Sequence, residues 1–132
     1  MAIEEYCLQN NLKKLPTIKY EDDFTFYGSQ HFIKNVLYNL LANAYKYGGP
    51  DVKVDIVTKG NILVFIDNGA GIDKEHIPYI FDKFYTQGKH GSTGIGLAFC
   101  KMVMEAIGGS ITCDSEVGKY TKFILTFPRL II

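Results

Sequence analysis

The sequence predicts an α/β (α+β) two-layer sandwich, in which about three helices cover one face of a mixed, largely antiparallel sheet. Segments with the pattern of paired strands alternate with single helical segments, and no internal repeat is present. With 132 residues, 47% of them hydrophobic, the chain can bury one core but not two. Residues 1–132 are therefore interpreted as a single domain.

The N-terminal part of the chain is expected to hold a short helix, one or two strands and a long helix. Residues 2–15 place apolar side chains near one helical face, and Pro16 ends any continuation. Residues 17–29 alternate between apolar and polar side chains as strands do. Residues 29–49 form the longest stretch with helical periodicity, and Ser29 is a suitable N-cap for it.

The remaining elements follow from turn residues and periodicity. Residues 52–68 and residues 110–128 each predict a hairpin of two strands. Residues 94–109 predict a second strong helix, whereas residues 73–85 are helical only in part because a proline interrupts them. Residues 86–93 contain no hydrophobic anchor and are expected to form the most mobile loop.

Composition excludes several classes of function. The formal net charge is zero and the lysines are scattered, which is not typical of a surface that binds nucleic acid or an anionic membrane. The three cysteines have no CxxC spacing, so we expect buried or idle thiols in a reducing cytosol. No apolar run approaches the length of a membrane span, and no signal peptide is recognised.

The long predicted helix carries an unusual polar stripe. Asn35, Asn39 and Asn43 recur at intervals of four residues, and Lys46 and Tyr47 extend the stripe. Asparagine is a poor helix former, so three in one stripe cost stability without an obvious structural benefit. Either the stripe is a solvated face, or the amides line a polar ligand. An asparagine carbonyl would suit one position of a magnesium shell otherwise filled by water and phosphate.

A second motif lies at the end of a predicted buried strand. The strand ends on Asp67, and Gly69 and Gly71 follow in the next turn. The carboxylate could accept a hydrogen bond from an exocyclic amine, and the glycines would let backbone and a flat ring approach closely. The carboxylate spacing of an EF-hand and the third glycine of a dinucleotide-binding fingerprint are both missing. An ordinary glycine-rich turn remains an alternative.

Two further motifs lie in the second half of the chain. Gly91, Gly94 and Gly96 precede or open the second strong helix, where free amides and the helix dipole favour an anion. No GK[ST] sequence follows, so this is not a Walker loop. Phe81 and Phe84 lie beside the predicted mobile loop and are either core residues or the hinge of a lid.

The order of these motifs resembles the N, G1, F and G2 boxes of the ATP-binding catalytic domain of sensor histidine kinases. That family belongs to the superfamily of gyrase, Hsp90 and MutL, whose members share the Bergerat ATP-binding fold. The resemblance covers about residues 20–128, nearly the whole chain. It implies ATP and Mg²⁺ as cofactors. It also implies transfer of the γ-phosphate to a histidine on a separate dimerisation and phosphoacceptor domain, in two-component signalling.

The resemblance also assigns residues to the nucleotide site. Asn43 would be the magnesium ligand, with Asn39 near the phosphates; Lys46 would contact phosphate and Tyr47 would lie against adenine. Asp67 would accept from the adenine amine. The other residues assigned to the site in this way are Gly69, Gly71, Ile72, Lys83, Phe84, Thr93, Gly94, Gly96, Leu97 and Thr121, the last reaching the base through water.

Two departures from the family pattern, and one contrast with the gyrase-like ATPases, affect this expectation. Ser92 stands in place of a G2-box glycine, and Lys83 replaces an arginine, which keeps the charge but loses the planar fork. Asn39 occupies the position of the glutamate that activates water in the gyrase-like ATPases, and an amide cannot act as a base. The site is therefore expected to hold ATP for another nucleophile rather than to hydrolyse it.

None of the three histidines, His31, His76 and His90, lies in an acceptor motif, so the acceptor is expected on a separate segment. The partners implied are that helical segment and the receiver domain of a response regulator, with no nucleic acid. The chain itself is expected to be monomeric, an excised cytosolic part of a bacterial, membrane-anchored sensor kinase. Two alternatives stay open: a degenerate nucleotide-binding or docking module, and a protein serine kinase of the anti-sigma type.

Overall fold

A computed structural model describes residues 17–20, 30–49, 51–85 and 95–128. These ranges contain five strands, two α-helices and one 3₁₀ turn. In chain order the elements are β1 (Thr17–Tyr20), α1 (Gln30–Gly48), β2 (Val54–Lys59), β3 (Ile62–Asp67), the 3₁₀ turn (Ile77–Tyr79), α2 (Gly96–Ala106), β4 (Ser110–Glu116) and β5 (Tyr120–Thr126).

The strands form one sheet in the order β1-β2-β3-β5-β4. β1 runs parallel to β2, and every other neighbouring pair is antiparallel. The two predicted hairpins, β2–β3 and β4–β5, are therefore joined through β3 and β5 at the middle of the sheet. This arrangement confirms the predicted mixed, largely antiparallel sheet.

The core lies between the two helices and the face of the sheet that is turned toward them, the inner face. Alternate residues of the strands are buried there, and Phe65 and Phe123 face each other in register across β3 and β5. From α1, Val36, Leu40 and Leu41 are fully buried. This stripe at helical spacing packs α1 against the sheet and against α2.

Some predicted elements fall partly or wholly outside the described residues. The helix at residues 2–15 and the loop at residues 86–93 lie there, and the strands predicted at residues 17–29 are described only as β1. Within residues 73–85 the structure shows only the 3₁₀ turn, which has proline in its first positions. Neither α-helix of the described ranges is both long and apolar enough to cross a membrane.

The chain that follows β3 packs directly on the turn between β4 and β5. The amide of Gly118 donates to the Ala70 carbonyl at 2.7 Å. Gly71 has a φ of +78°, and a Cβ atom there would lie 2.4 Å from the carbonyl oxygen of Glu116. The protein's own backbone therefore requires glycine at position 71, whether or not a ring binds nearby.

The turn also supplies a matched comparison for this contact. Gly118 has a φ of +79°, but nothing lies within 4 Å of its Cβ position. We expect Gly118→Ala to lower the free energy of unfolding by about 1–2 kcal/mol through backbone strain alone. Gly71→Ala should lower it by clearly more, because the methyl group also meets the Glu116 backbone. Urea denaturation of both variants measures the difference, and equal losses would contradict the close approach.

Candidate functional site

Asp67 is the last residue of β3 and lies in a buried row across the sheet. In the register of the sheet, Asp67 pairs with Val54 of β2 on one side and with Thr121 of β5 on the other. Thr121 in turn pairs with Ser115 of β4. All four side chains of this Asp67 row are buried. Paired residues of antiparallel strands share a face, so the row is on the inner face, beyond the Phe65–Phe123 pair.

Within the described ranges, one backbone amide stabilises the Asp67 carboxylate. Its Oδ1 atom accepts a hydrogen bond from Gly69 N at 2.9 Å. Burial raises the pKa of Asp67 above its ordinary value, and the bond from Gly69 lowers it by a smaller amount. Keeping an ionisable group in this environment costs stability, and such groups are concentrated at functional sites.

Two buried hydroxyls complete the polar part of the row. Thr121, which was predicted as a site residue, lies with its Oγ1 atom 3.2 Å from Oγ of Ser115. Ser115 was not predicted. The signal that could have identified it is a hydroxyl at an inward position of β4, in alternation with buried Ile111 and half-buried Cys113.

Asn39 on α1 faces the beginning of α2. Its Nδ2 atom donates to the backbone carbonyl of Asn35 at 2.8 Å. The side-chain oxygen points the other way, and a Cβ atom at Gly96 would lie only 2.9 Å from it. The structure thus brings the asparagine stripe and the glycine-rich helix start together, two motifs that are far apart in the sequence.

The first amides of α2 have no acceptor within the helix. Ile95 is the N-cap residue, and it makes no side-chain capping hydrogen bond. The Ile95 carbonyl accepts a hydrogen bond from Phe99 N at 2.8 Å, which is the first regular bond of the helix. The amides between these two residues therefore have no helical carbonyl to bond to. Gly96 and Leu97 are half-buried here, and Leu97 packs against the core.

The C-terminal end of α1 meets the residues that follow β3. A Cβ atom at Gly69 would lie 2.9 Å from Oδ1 of Asp67 and 3.0 Å from Cα of Gly48. From Asn39 to Gly48 the helix rises by roughly 13 Å, at 1.5 Å per residue. α1 therefore connects the Asp67 row to the start of α2.

Three predicted site residues lie along this part of α1. Asn43 and Tyr47 are half-buried, and Lys46 is exposed with its Nζ atom 5.9 Å from the centre of the Tyr47 ring. Ile72, beyond the glycine-rich turn, is half-buried against the core. All of these side chains lie between, or next to, the two ends of the site.

The two phenylalanines that were predicted as core or hinge differ in environment. Phe81 is half-buried and packs edge-on against Phe123, with 6.2 Å between ring centres, so it belongs to the core. Phe84 is 65% exposed and has a φ of +69°, a strained value for a residue with a side chain. Lys83 is also exposed, with Nζ 5.3 Å from the Phe84 ring centre. Thr93 and Gly94 lie outside the described residues.

Comparison with known proteins reveals a family and several relatives. The sequence profile of the family described as "Histidine kinase-, DNA gyrase B-, and HSP90-like ATPase" matches residues 28–131. The chain is 43% identical over 110 residues to the CAI-1 autoinducer sensor kinase/phosphatase CqsS of Vibrio cholerae, covering 80% of this chain and 16% of that protein. It is 44% identical over 104 residues to the sensor protein SrrB of Staphylococcus aureus, covering 71% and 18%. The chain thus spans less than a fifth of the length of either relative.

Solved structures share the fold. The catalytic domain of histidine kinase ThkA matches with a TM-score of 0.81 at 24% identity, over 97% of this chain and 90% of that one. A mycobacterial sensor histidine kinase, MprB, matches with a TM-score of 0.71 at 20% identity, over 98% and 93%. These likenesses confirm the predicted fold class.

The raised pKa of Asp67 leads to a prediction about stability. Because the folded-state pKa lies above the ordinary 3.8, wild type gains stability as the pH falls through the folded pKa, and this gain is complete below 3.8. Asp67→Asn has no such charge to bury. We expect the variant to melt at a higher temperature than wild type at pH 7, and this advantage to shrink as the pH falls toward 4.

Thermal unfolding measured across this pH range is the test. Asp55→Asn, which changes an exposed carboxylate on neighbouring β2, controls for the general effect of removing a negative charge. An Asp67→Asn variant that is less stable than wild type at pH 7, and recovers in acid, would show that ionised Asp67 stabilises the fold.

Proposed function

The chain belongs to the histidine kinase-, DNA gyrase B- and HSP90-like ATPase family, and we propose that it is the Mg-ATP-binding catalytic domain of a sensor histidine kinase. In this proposal the γ-phosphate passes to a histidine on a separate helical dimerisation domain. The observation that carries the proposal is that α1 connects a buried carboxylate acceptor at Asp67 to the N-terminus of α2 at Gly96, whose N-cap residue Ile95 makes no side-chain capping hydrogen bond.

At the Asp67 end, the chemistry favours an adenine base. A buried carboxylate accepts hydrogen bonds and strongly prefers a donor such as the exocyclic amine of adenine. A base with a carbonyl in place of that amine would turn its lone pairs toward the negative charge. The turn at Gly69 has no room for a side chain between Asp67 and the end of α1. Tyr47, Ile72 and the Thr121 hydroxyl would complete the surroundings of the base.

At the α2 end, the chemistry favours phosphate. The amides of Gly96 and Leu97 have no acceptor within the helix, and together with the helix dipole they would attract an anion. The Asn39 side chain presents its oxygen to this region because its Nδ2 atom is bonded to the Asn35 carbonyl. An oxygen there would repel a phosphate oxygen but would accept from water in the shell of a cation.

The donor set on α1 fits a magnesium ion carried by the nucleotide. Asn43 lies one turn after Asn39 in the same stripe, is half-buried and offers a neutral amide oxygen. Mg²⁺ in nucleotide sites takes one or two protein oxygens, and water and substrate phosphates supply the rest. When bound, the ion would neutralise part of the phosphate charge. Lys46 and the α2 amides would add to this from the protein side.

The same residues favour transfer over hydrolysis. Hydrolysis needs a base to orient and deprotonate water, and the Asn39 amide cannot accept that proton. A site that positions the triphosphate without a base is suited to an in-line attack by a nucleophile from another segment. The relatives at 43% and 44% identity are described as sensor proteins, one of them as a sensor kinase/phosphatase, which favours the histidine kinase function over the anti-sigma-type serine kinase.

Two features argue against a degenerate docking module. A module that no longer binds nucleotide has no use for a buried carboxylate that costs stability, or for a helix start without a cap. We therefore propose the partners that the function requires, the helical phosphoacceptor segment and the receiver domain of a response regulator. We also propose a place in the cytosolic part of a larger sensor kinase.

Asn43→Ala should weaken the magnesium-dependent part of binding. Asp67 recognises the base, so ADP affinity in the presence of EDTA should change less than about twofold. The gain in affinity on adding Mg²⁺ should shrink by roughly tenfold, the effect of losing one interaction worth about 1.4 kcal/mol. Calorimetry with and without the metal separates these effects. Equal losses under both conditions would remove Asn43 from the metal site.

The proposed transfer is tested by incubating the chain with radiolabelled ATP. Alone, it should bind ATP but neither label itself nor release phosphate at a useful rate. With the helical dimerisation segment of the parent kinase added, label should appear on that segment as acid-labile phosphohistidine. The same segment with its acceptor histidine changed to glutamine is the matched control. Phosphohistidine on the chain alone, or rapid phosphate release, would contradict the proposal.

A further inference from the structure

We propose that Ser115 is a positioning residue for base recognition, because it fixes the direction of the Thr121 hydroxyl and so contributes to selection of an amine-bearing base. The inference rests on the adenine-nucleotide function proposed above. Ser115 itself would not touch the nucleotide. It would act through Thr121, its neighbour in the Asp67 row.

Ser115 is the centre of a small buried hydrogen-bond network. Its hydroxyl donates to the Tyr120 carbonyl, with 2.7 Å between the oxygens. It accepts from the amide of Ile72, again at 2.7 Å. Its third partner is the Thr121 hydroxyl, at 3.2 Å. Only 6% of Ser115 and 5% of Thr121 is exposed, so water has little access to either group.

The number of protons in this network determines its direction. A serine hydroxyl has one hydrogen, and a carbonyl can only accept. The Ser115 proton is therefore used by the Tyr120 carbonyl. The bond between the two hydroxyls must then be donated by Thr121, and the proton of Thr121 points toward Ser115.

This direction leaves Thr121 as an acceptor on its remaining side. Thr121 pairs in register with Asp67, whose carboxylate also only accepts when ionised. Two adjacent acceptors match a ligand that brings hydrogens, such as the amine of adenine or a water bound to it. They oppose the carbonyl oxygen that hypoxanthine carries at the same position. Without Ser115, the Thr121 hydroxyl could rotate and donate to that oxygen.

Ser115 also anchors the chain segment beside the base. The Ile72 amide and the contact between Gly118 and the Ala70 carbonyl join this segment to the β4–β5 hairpin. A role limited to this anchoring would weaken the binding of every nucleotide by the same factor. A role in directing the Thr121 proton would change the ratio between adenine and hypoxanthine nucleotides. The two roles can therefore be separated by experiment.

The test compares ADP and inosine diphosphate by calorimetry with wild type, Ser115→Ala, Thr121→Val and the double variant. Wild type should prefer ADP, and Ser115→Ala should reduce this preference by about 3- to 10-fold, the range expected for one redirected hydrogen bond. In the Thr121→Val background, Ser115→Ala should change the preference by less than about twofold, because the hydroxyl that it directs is already gone.

Two controls separate the anchoring role of Ser115 from its proposed effect on base preference. Thermal unfolding and amide exchange of nucleotide-free protein report the anchoring role, and the Ile72 amide should exchange faster in Ser115→Ala. If that variant does not fold, Ser115→Cys takes its place, since a thiol of similar shape is a weak donor and acceptor and should shift the preference in the same direction.

The possible outcomes distinguish this inference from the proposed function. A selective wild type whose preference is unchanged in the folded Ser115 variant would overturn the inference alone. So would a change in preference that persists in the Thr121→Val background. A wild type that binds neither nucleotide would overturn the proposed function and the inference with it. A wild type that binds both equally would overturn the inference and the assignment of Asp67 to the base amine, but not nucleotide binding itself.

Discussion

The burial of the Asp67 carboxylate is the constraint on which the rest of the site depends. A strand that ends on a charged group inside the protein must supply hydrogen-bond donors and must keep apolar side chains away from the charge. The first donor is the Gly69 amide, and the absence of a side chain at Gly69 lets the end of α1 approach. Thr121 and Ser115 continue the polar part of this row across the sheet, next to the Phe65–Phe123 pair of the apolar core. No other donor to the carboxylate lies in the described part of the chain, so a ligand could supply one in the proposed function, and the stability lost by burying the charge is consistent with selection for binding.

α1 connects the buried Asp67 carboxylate to the start of α2. Its apolar stripe packs into the core, which fixes the rotation of the helix and presents the asparagine stripe toward the start of α2. Close contacts that exclude side chains fix the middle of α1, at Asn39 near Gly96, and its C-terminal end, at Gly48 near Gly69. In the proposed function, the distance between the base at Asp67 and the phosphates at the start of α2 is therefore set by the half of this helix that runs from Asn39 to Gly48. This geometry suits a nucleotide with several phosphates, which must be held at both ends for its terminal phosphate to be positioned.

Local sequence patterns predicted most of the fold and part of the site. The hairpins, α1 and α2 follow from turn residues and periodicity, and Asp67 was proposed as a site residue because it ends an apolar strand. What could not be predicted depends on contacts between distant parts of the chain. Gly71 meets Glu116 only once the β4–β5 hairpin has docked, so its packing role was missed. Ser115 has no local motif, and its importance comes from three partners that the sheet brings together. Phe81 and Phe84 are alike in sequence, and only the fold separates a core residue from an exposed one.

The central claim is that the ionised Asp67 recognises the base, and the most direct measurement is the calorimetric affinity of ADP for wild type and Asp67→Asn at pH 7. In the variant, an NH2 group replaces one of the two carboxylate oxygens. This donor would face the adenine amine, which is also a donor. Losing a hydrogen bond to a charged group costs about 1.5–3 kcal/mol, which corresponds to a loss of affinity of roughly 10- to 150-fold. Far-ultraviolet circular dichroism of the variant checks that the fold is intact. A folded Asp67→Asn protein that binds ADP as tightly as wild type would contradict the account.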